Sequence, residues 1–385
     1  MAQVATPLGP LVRSLAGFRA ERGLGISLFL NLDPTVVPTT KDVGSHVRSV
    51  VDDARRRVLE LAPHLDHEQA LGARNDLDAG EAFLEEELDR SGARGYALYV
   101  AGLDGVRYEL PLPTAADDAA HVGRAFAVAP LLGALERDRE VVVAAVGRER
   151  GTLWRTRGGS TEVLDDRTEE IHGRHDQGGW SQARFQRRIE HDALAHFRDV
   201  ADLLAHAVEP GSGTFVVVAC VEEQRSTFEE LLAPHVREAL LGWTAVEAHA
   251  GHEALEPEVD RLLSARLEDE REALLDRWRE ERASGGKAIV SWRDALEAAA
   301  DAAVEVALVD GRSPKAWACP ACGRGSIEPG GCPLDGTSLV EDSGGALELV
   351  ARGALANAGR VRRIARLDET QGVAALLRYP VRAAR

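Results

Sequence analysis

Hydrophobic and polar positions divide the chain into three stretches. In the first, "ISLFLNLD" (26–33) is an apolar run of strand length. "KDVGSHVRSVVDDARRRVLELA" (41–62) places Val43, Val47, Val51, Ala54, Val58 and Leu61 on one face of a helix. "GYALYVAG" (95–102) and "VRYELPL" (106–112) read as strands, and "HVGRAFAVAPLLGALERD" (121–138) as a helix divided at Pro130. The second stretch opens on "EVVVAAVGRERGTLWRTRGGSTEVL" (140–164), three short strands separated by Gly-containing turns. A polar loop follows, then a long helix over 181–208 with Phe185, Ile189, Leu194, Phe197, Val200 and Leu204 at helical spacing. "TFVVVAC" (214–220) predicts a buried strand, and 224–241 an amphipathic helix. The third stretch begins with a charged helix over 254–283, whose charges alternate in sign as on a solvated or bridging helix. Loop, helix and strand follow over 283–311, then a helix over 344–357 and strands around "VRRIARL" and "VAALLRYPV".

Alternating strands and helices predict an α/β fold with helices packed on sheets. At 385 residues the chain exceeds one ordinary core. The expected organisation is three domains: 1–138, 139–252 and 253–385, with a cysteine module inserted at 315–340. Hydrophobic residues make up 44% of the chain, enough to fill such cores. No apolar run reaches the length of a membrane span, and the first residues lack the charged and apolar regions of a secretory signal. A cytoplasmic protein without membrane contact is expected.

The net charge of −17 argues against nonspecific nucleic-acid binding but leaves room for a local basic patch. Four cysteines are too few for a disulfide scaffold, and three of them cluster. "CPACGRGSIEPGGCPLDG" pairs Cys319 with Cys322 as CxxC and repeats the spacing as CxxD with Cys332 and Asp335. Two such knuckles can converge four ligands on a tetrahedral, structural Zn²⁺, with a carboxylate as the fourth. A bound ion would fold a segment that has almost no core of its own. The alternatives are a ribbon that has lost its metal and a redox CxxC; no helix start follows the motif to support the latter.

"DQGGWSQARFQRR" (176–188) is the most unusual stretch. Gly178 and Gly179 allow a backbone that comes close to a partner. Arg184, Arg187 and Arg188 fall in the first turns of the following helix, placed for RNA phosphates. With Arg174 they set four arginines against Asp176 and Glu190 within 172–191, a local balance of +2. An ordinary loop with Ser181 as helix N-cap is the plain alternative.

"GGWSQARFQRR" resembles the segment in which archaeal and eukaryotic class-I peptide chain release factors carry a Gly-Gly-Gln loop followed by Ser-x-x-Arg-Phe. "GKAIVSWRDALEAAADAAVEVALVDG" (286–311) and "GVAALLRYPV" (372–381) resemble parts of the C-terminal domain of those factors. The chain is thereby identified as a bacterial branch of that superfamily, whose relatives include Pelota-type rescue factors and Vms/Ankzf-type peptidyl-tRNA hydrolases. The resemblance implies a three-domain release-factor-like architecture with a zinc-ribbon insertion in the C-terminal domain.

It also implies a ribosomal partner, contacted at large-subunit rRNA and the tRNA acceptor end, with a translational GTPase as a further partner and a monomeric state. A glutamine in such a loop can orient water and donate to a developing oxyanion. Here Trp180 follows the glycines, and the role passes to Gln182, with Gln177 a weaker substitute. The implied activity is peptidyl-tRNA hydrolysis during ribosome rescue, with Gly178 and Gly179 shaping the loop and Trp180, Ser181 and the arginines contacting RNA. A non-catalytic alternative is a hibernation or stress factor that plugs the A site, with the Trp180 indole stacked on a base. A third is a generic RNA- or protein-binding protein that kept the fold alone. No Asn-Ile-Lys-Ser loop appears in the first stretch; "PTTKD" (38–42) reads as a helix cap, so stop-codon reading is not expected.

Overall fold

The computed structural model describes residues 7–90, 92–168, 181–245 and 251–380; the side chains of 168 and 181–189 lie outside that description. The chain divides into two compact units. One takes in Pro7–Arg137 and the described residues from Arg271 onward, the other Asp138–Glu270.

The stretch before residue 138 forms α1 (Leu8–Gly17), β1 (Gly25–Asn31), α2 (Thr40–Leu61), α3 (His67–Glu86), β2 (Gly95–Ala101), β3 (Val106–Leu112), β4 (Ala119–Gly123) and α4 (Leu132–Arg137). The sheet order is β3-β2-β1-β4, antiparallel throughout. Thr39 and Asp42 close a reciprocal capping box at the start of α2, which stabilises it by about 1 kcal/mol. Its valine stripe, Val43, Val47, Val50, Val51 and Val58, packs with Leu28, Leu30 and Leu98 of the sheet. "PTTKD" is thus the helix cap the sequence predicts.

The helix expected over 121–138 is corrected. Residues 119–123 pair with β1 as an edge strand, and helical structure begins only with a single 3-10 turn at Ala129–Leu131. Pro130 sits in the first turn of that segment, where its missing N–H costs nothing. The helical periodicity before it came from residues buried on a sheet.

Residues 138–270 build β5 (Val141–Val146), β6 (Arg150–Arg157), β7 (Ser160–Thr168), α5 (Ser181–Ala207), β8 (Phe215–Ala219), α6 (Glu222–Leu231), α7 (Pro234–Ala239), β9 (Leu240–Thr244) and the first part of α8 (His252–Ala283). The sheet runs β7-β6-β5-β8-β9, antiparallel on the β6 side and parallel from β5 to β9. One face packs Phe197, Val200 and Leu204 of α5 with Phe228 of α6; the other packs Leu255 and Val259 of α8. The single helix expected over 224–241 breaks at Pro234, and its last residues open β9 instead. Proline has no N–H to continue the ladder, so a second helix starts there.

Beyond residue 271 the chain adds β10 (Ala288–Ile289), α9 (Trp292–Ala300), β11 (Val304–Val309), β12 (Ala316–Ala318), β13 (Gly325–Ser326), β14 (Val340–Asp342), α10 (Gly345–Ala356), β15 (Arg360–Arg363) and β16 (Val373–Leu377). The main sheet is β10-β16-β11-β15, and β13-β12-β14 form a separate small sheet around the cysteines. One hydrophobic core joins both ends of the chain: Phe29, Tyr99 and Phe126 share it with Trp292, Leu296 and Ala351. The Tyr99 hydroxyl donates to the Ala127 carbonyl at 2.9 Å, and the Trp292 indole N–H to the Gln371 carbonyl at 2.9 Å, which satisfies both polar groups.

Candidate functional site

The glycine–glutamine stretch joins β7 to α5. Arg174, Gly178, Gly179 and Trp180 lie outside the described residues. Ser181, Gln182, Arg184, Arg187 and Arg188 fall in the first turns of α5, and their side chains are likewise outside the description.

Where β7 ends, Arg150 makes a two-pronged contact to Asp166, Nε to Oδ1 at 3.1 Å and Nη2 to Oδ2 at 2.9 Å, and Thr152 adds its hydroxyl at 3.1 Å. The Arg150 guanidinium therefore holds the Asp166 carboxyl below its ordinary pKa. A bulge between Leu153 and Trp154 shifts the register of the same pair of strands. Gly151 lets α5 lie close: a Cβ there would stand 2.4 Å from Val200 Cγ2 and 3.4 Å from His196 Nε2. His196 is fully buried, and neither ring nitrogen has a hydrogen-bond partner.

The cysteine module is fully described. Its two knuckles, "CPACG" and "CPLDG", fold alike. Gly323 N–H donates to the Cys319 carbonyl at 2.8 Å, and Gly336 N–H to the Cys332 carbonyl at 2.9 Å. Both glycines are left-handed, at φ +81 and +73, which a side chain would disfavour. Asp335 therefore occupies the place in the second knuckle that Cys322 has in the first. The ligand atoms of Cys319, Cys322, Cys332 and Asp335 all lie within 4.8 Å of one another. Cys322 and Cys332 sulfurs are 3.5 Å apart, and Cys319 Sγ lies 3.7 Å from Asp335 Oδ2. Four donors about 2.3 Å from one tetrahedral ion stand about 3.8 Å apart, so these residues could hold a metal. Burial raises the Cys319 thiol, but the N–H groups of Cys322 and Ala321 outweigh it and its pKa falls below the ordinary value.

A buried ionic network beside the module escaped the sequence reading. Glu348 of α10, 1% exposed, accepts the backbone N–H of Val128 at 2.8 Å and of Ala129 at 2.9 Å. Arg352, one turn later, donates to Asp342 at 2.7 Å. Ser343 Oγ and His121 Nδ1 are 2.6 Å apart. Burial pushes Glu348 up to about 7, although Arg352 opposes it, and pushes the His121 imidazole down to about 4. The signal was a charged pair at i, i+4 in the otherwise apolar "GALELVARGALA".

Residues 127–265 match the model of the bacterial archaeo-eukaryotic release factor family 10. This segment of the chain is similar to the bacterial archaeo-eukaryotic release factors. The matched segment contains the whole run from β5 to β9 and the glycine–glutamine stretch. Among solved structures, the chain is similar to the archaeal translation termination factor aRF1, at 15% identity over 97% of each chain with a TM-score of 0.28. It is similar to Archaeoglobus fulgidus Pelota at 18% identity, covering 77% of this chain and 83% of that one, with a TM-score of 0.37. For S. cerevisiae Dom34, a translation termination-like factor, the identity is 10%, the coverage 75% and 81%, and the TM-score 0.39. No curated protein sequence matches. Among the described residues no helix is long and apolar enough to cross a membrane.

Proposed function

We propose that this protein is a ribosome-associated translation factor that acts in the A site and releases nascent peptide by hydrolysing peptidyl-tRNA during ribosome rescue. The observation that carries the reading is the release-factor family match over 127–265, which encloses "GGWSQARFQRR" between β7 and α5. Gln182 orients the attacking water and stabilises the developing oxyanion. Gly178 and Gly179 shape the approach, and Ser181, Arg174, Arg184, Arg187 and Arg188 bind large-subunit rRNA and the tRNA acceptor end. The ribosome supplies the remaining orientation of the ester. The test adds the purified chain to stalled ribosome–nascent-chain complexes and follows peptide release. Wild type is expected to release peptide, and Gln182→Ala to lose roughly 10²-fold in rate, the usual cost of one oxyanion donor. Equal background rates for the two overturn hydrolysis.

Trp180 favours a second reading. An indole next to the glycines can stack on a base, which suits a hibernation or stress factor that plugs the A site and peptidyl-transferase centre without cleaving an ester. This reading predicts co-sedimentation with ribosomes and inhibition of translation with no peptide release.

Zinc is the ion proposed for Cys319, Cys322, Cys332 and Asp335. Three sulfurs and one carboxylate are a donor set zinc accepts, and four protein ligands leave no open position, so its role is structural. The remaining parts of the reading are a cytoplasmic monomer and a translational GTPase as further partner.

A further inference from the structure

A cavity of about 450 Å³ opens between β4, the end of α2 and the cysteine module. That volume falls in the range of small-molecule sites. Its lining includes the aliphatic Leu61, Leu65, Val122 and Val340 and the acidic Glu341 and Asp342. It also carries Arg19 and Arg124, brought together where Ala20 N–H donates to the Arg124 carbonyl at 2.7 Å.

These two arginines differ from most on this acidic chain. Arg352, which also lines the cavity, is paired with Asp342. Arg19 meets only carbonyls, those of Cys319 at 3.4 Å and Pro320 at 3.1 Å. Arg124 meets only the Glu21 carbonyl, at 3.5 Å. Among the described residues, neither has a carboxylate at ion-pair distance. Arg19 also rests on the module itself, where the missing side chain of Gly323 makes room for its guanidinium.

We propose that this cleft binds a phosphorylated ligand of mononucleotide size, its phosphate on Arg124 and Arg19 and its planar body against the aliphatic lining side chains. A guanidinium fork matches a phosphate in geometry and charge, and four aliphatic side chains suit a base better than a sugar. The phosphate can belong to a free nucleotide or to an RNA end, and both present the same group to the cleft. The site is separate from the glycine–glutamine stretch and does not depend on its chemistry.

The test is calorimetric titration of the full chain with adenosine 5′-monophosphate, adenosine and an RNA pentanucleotide. Saturable binding of the monophosphate is expected, with adenosine at least about tenfold weaker and Arg124→Ala weakened by a similar factor, as for loss of one charge-assisted contact. Arg124 is exposed and outside the cysteine cluster, so that variant is expected to keep the wild-type melting temperature; Arg124→Lys should restore part of the binding. A pentanucleotide that competes with the monophosphate makes RNA the source, and one that does not makes it a free nucleotide. Absence of saturable binding, equal affinity for adenosine, or binding unchanged in Arg124→Ala overturns the proposal.

Discussion

The carboxylate of Glu348 accepts the backbone N–H of Val128 at 2.8 Å, across 220 residues of sequence. With Ala129 it leaves one buried and one part-buried donor dependent on one side chain. Glu348→Ala would strand both, and a loss of about 3–5 kcal/mol is expected in denaturant unfolding, the usual cost of breaking a buried charged network.

The same residue sets a pH dependence. Glu348 titrates at about 7 in the folded chain, above its ordinary 4.5, so between those values the folded state holds the extra proton and stability falls as pH rises. His121 is the opposite case, at about 4 against an ordinary 6.5: the unfolded state holds the extra proton, and stability rises with pH over that window. From about pH 4.5 to 6.5 the two slopes oppose each other. Replacing Glu348 with Gln keeps one acceptor and removes its titration. Stability of Glu348→Gln should then climb with pH through that window by about 1.4 kcal/mol per unit relative to wild type. Parallel pH profiles for the two proteins would remove this account.

The matched knuckles carry a metal prediction. Native mass spectrometry should find about one zinc per chain, absent in Cys332→Ser, whose hydroxyl is a poor zinc ligand. Asp335→Cys should keep the ion, because position 335 repeats the geometry of Cys322. Chelation should expose thiols to a colorimetric reagent, since Cys319 and Cys332 are buried in the structure. An Asp335→Cys variant that loses the ion would mean that Asp335 is not at a ligand position.

Gly151 is the point at which α5 meets the sheet. A Cβ there would overlap Val200 Cγ2 at 2.4 Å, so Gly151→Ala should force the helix outward and cost about 1–3 kcal/mol. Because α5 begins at Ser181, the shift also moves the glutamine stretch. Thermal unfolding measures the first effect and peptide release the second. An unchanged melting temperature would contradict close packing of Val200 on Gly151.

What the sequence made legible follows from where the energy is local. The valine stripe of α2, the Thr39–Asp42 cap and the paired CP-x-x-G knuckles are each written within a few residues, and all were readable. The false helix over 121–138 shows the limit. His121 and Val122 are buried by a strand partner about 95 residues earlier, and periodicity cannot see a partner. Pro234 and β9 were missed because the apolar spacing runs through the break. The shared core of Phe126 and Trp292 and the Glu348 network depend on contacts across most of the chain, so only the charged pair within an apolar helix hinted at them.

The remaining prediction separates the two readings of "GGWSQ". If Gln182 is the hydrolytic group, Trp180 is a positioning side chain at most, and Trp180→Gln should leave peptide release equal or higher, because it supplies an amide directly after the glycines. If Trp180 is a plug, the same variant should weaken co-sedimentation with ribosomes by roughly tenfold, the scale of one lost base stack, while Gln182→Ala changes nothing. Under both readings the arginines act through phosphates, so Arg184→Ala with Arg187→Ala should lower affinity and flatten its dependence on salt. Release and co-sedimentation measured across these variants at two salt concentrations distinguish the readings. Loss of release in Gln182→Ala with binding intact selects the hydrolase, and loss of binding in Trp180→Gln with no release in wild type selects the plug.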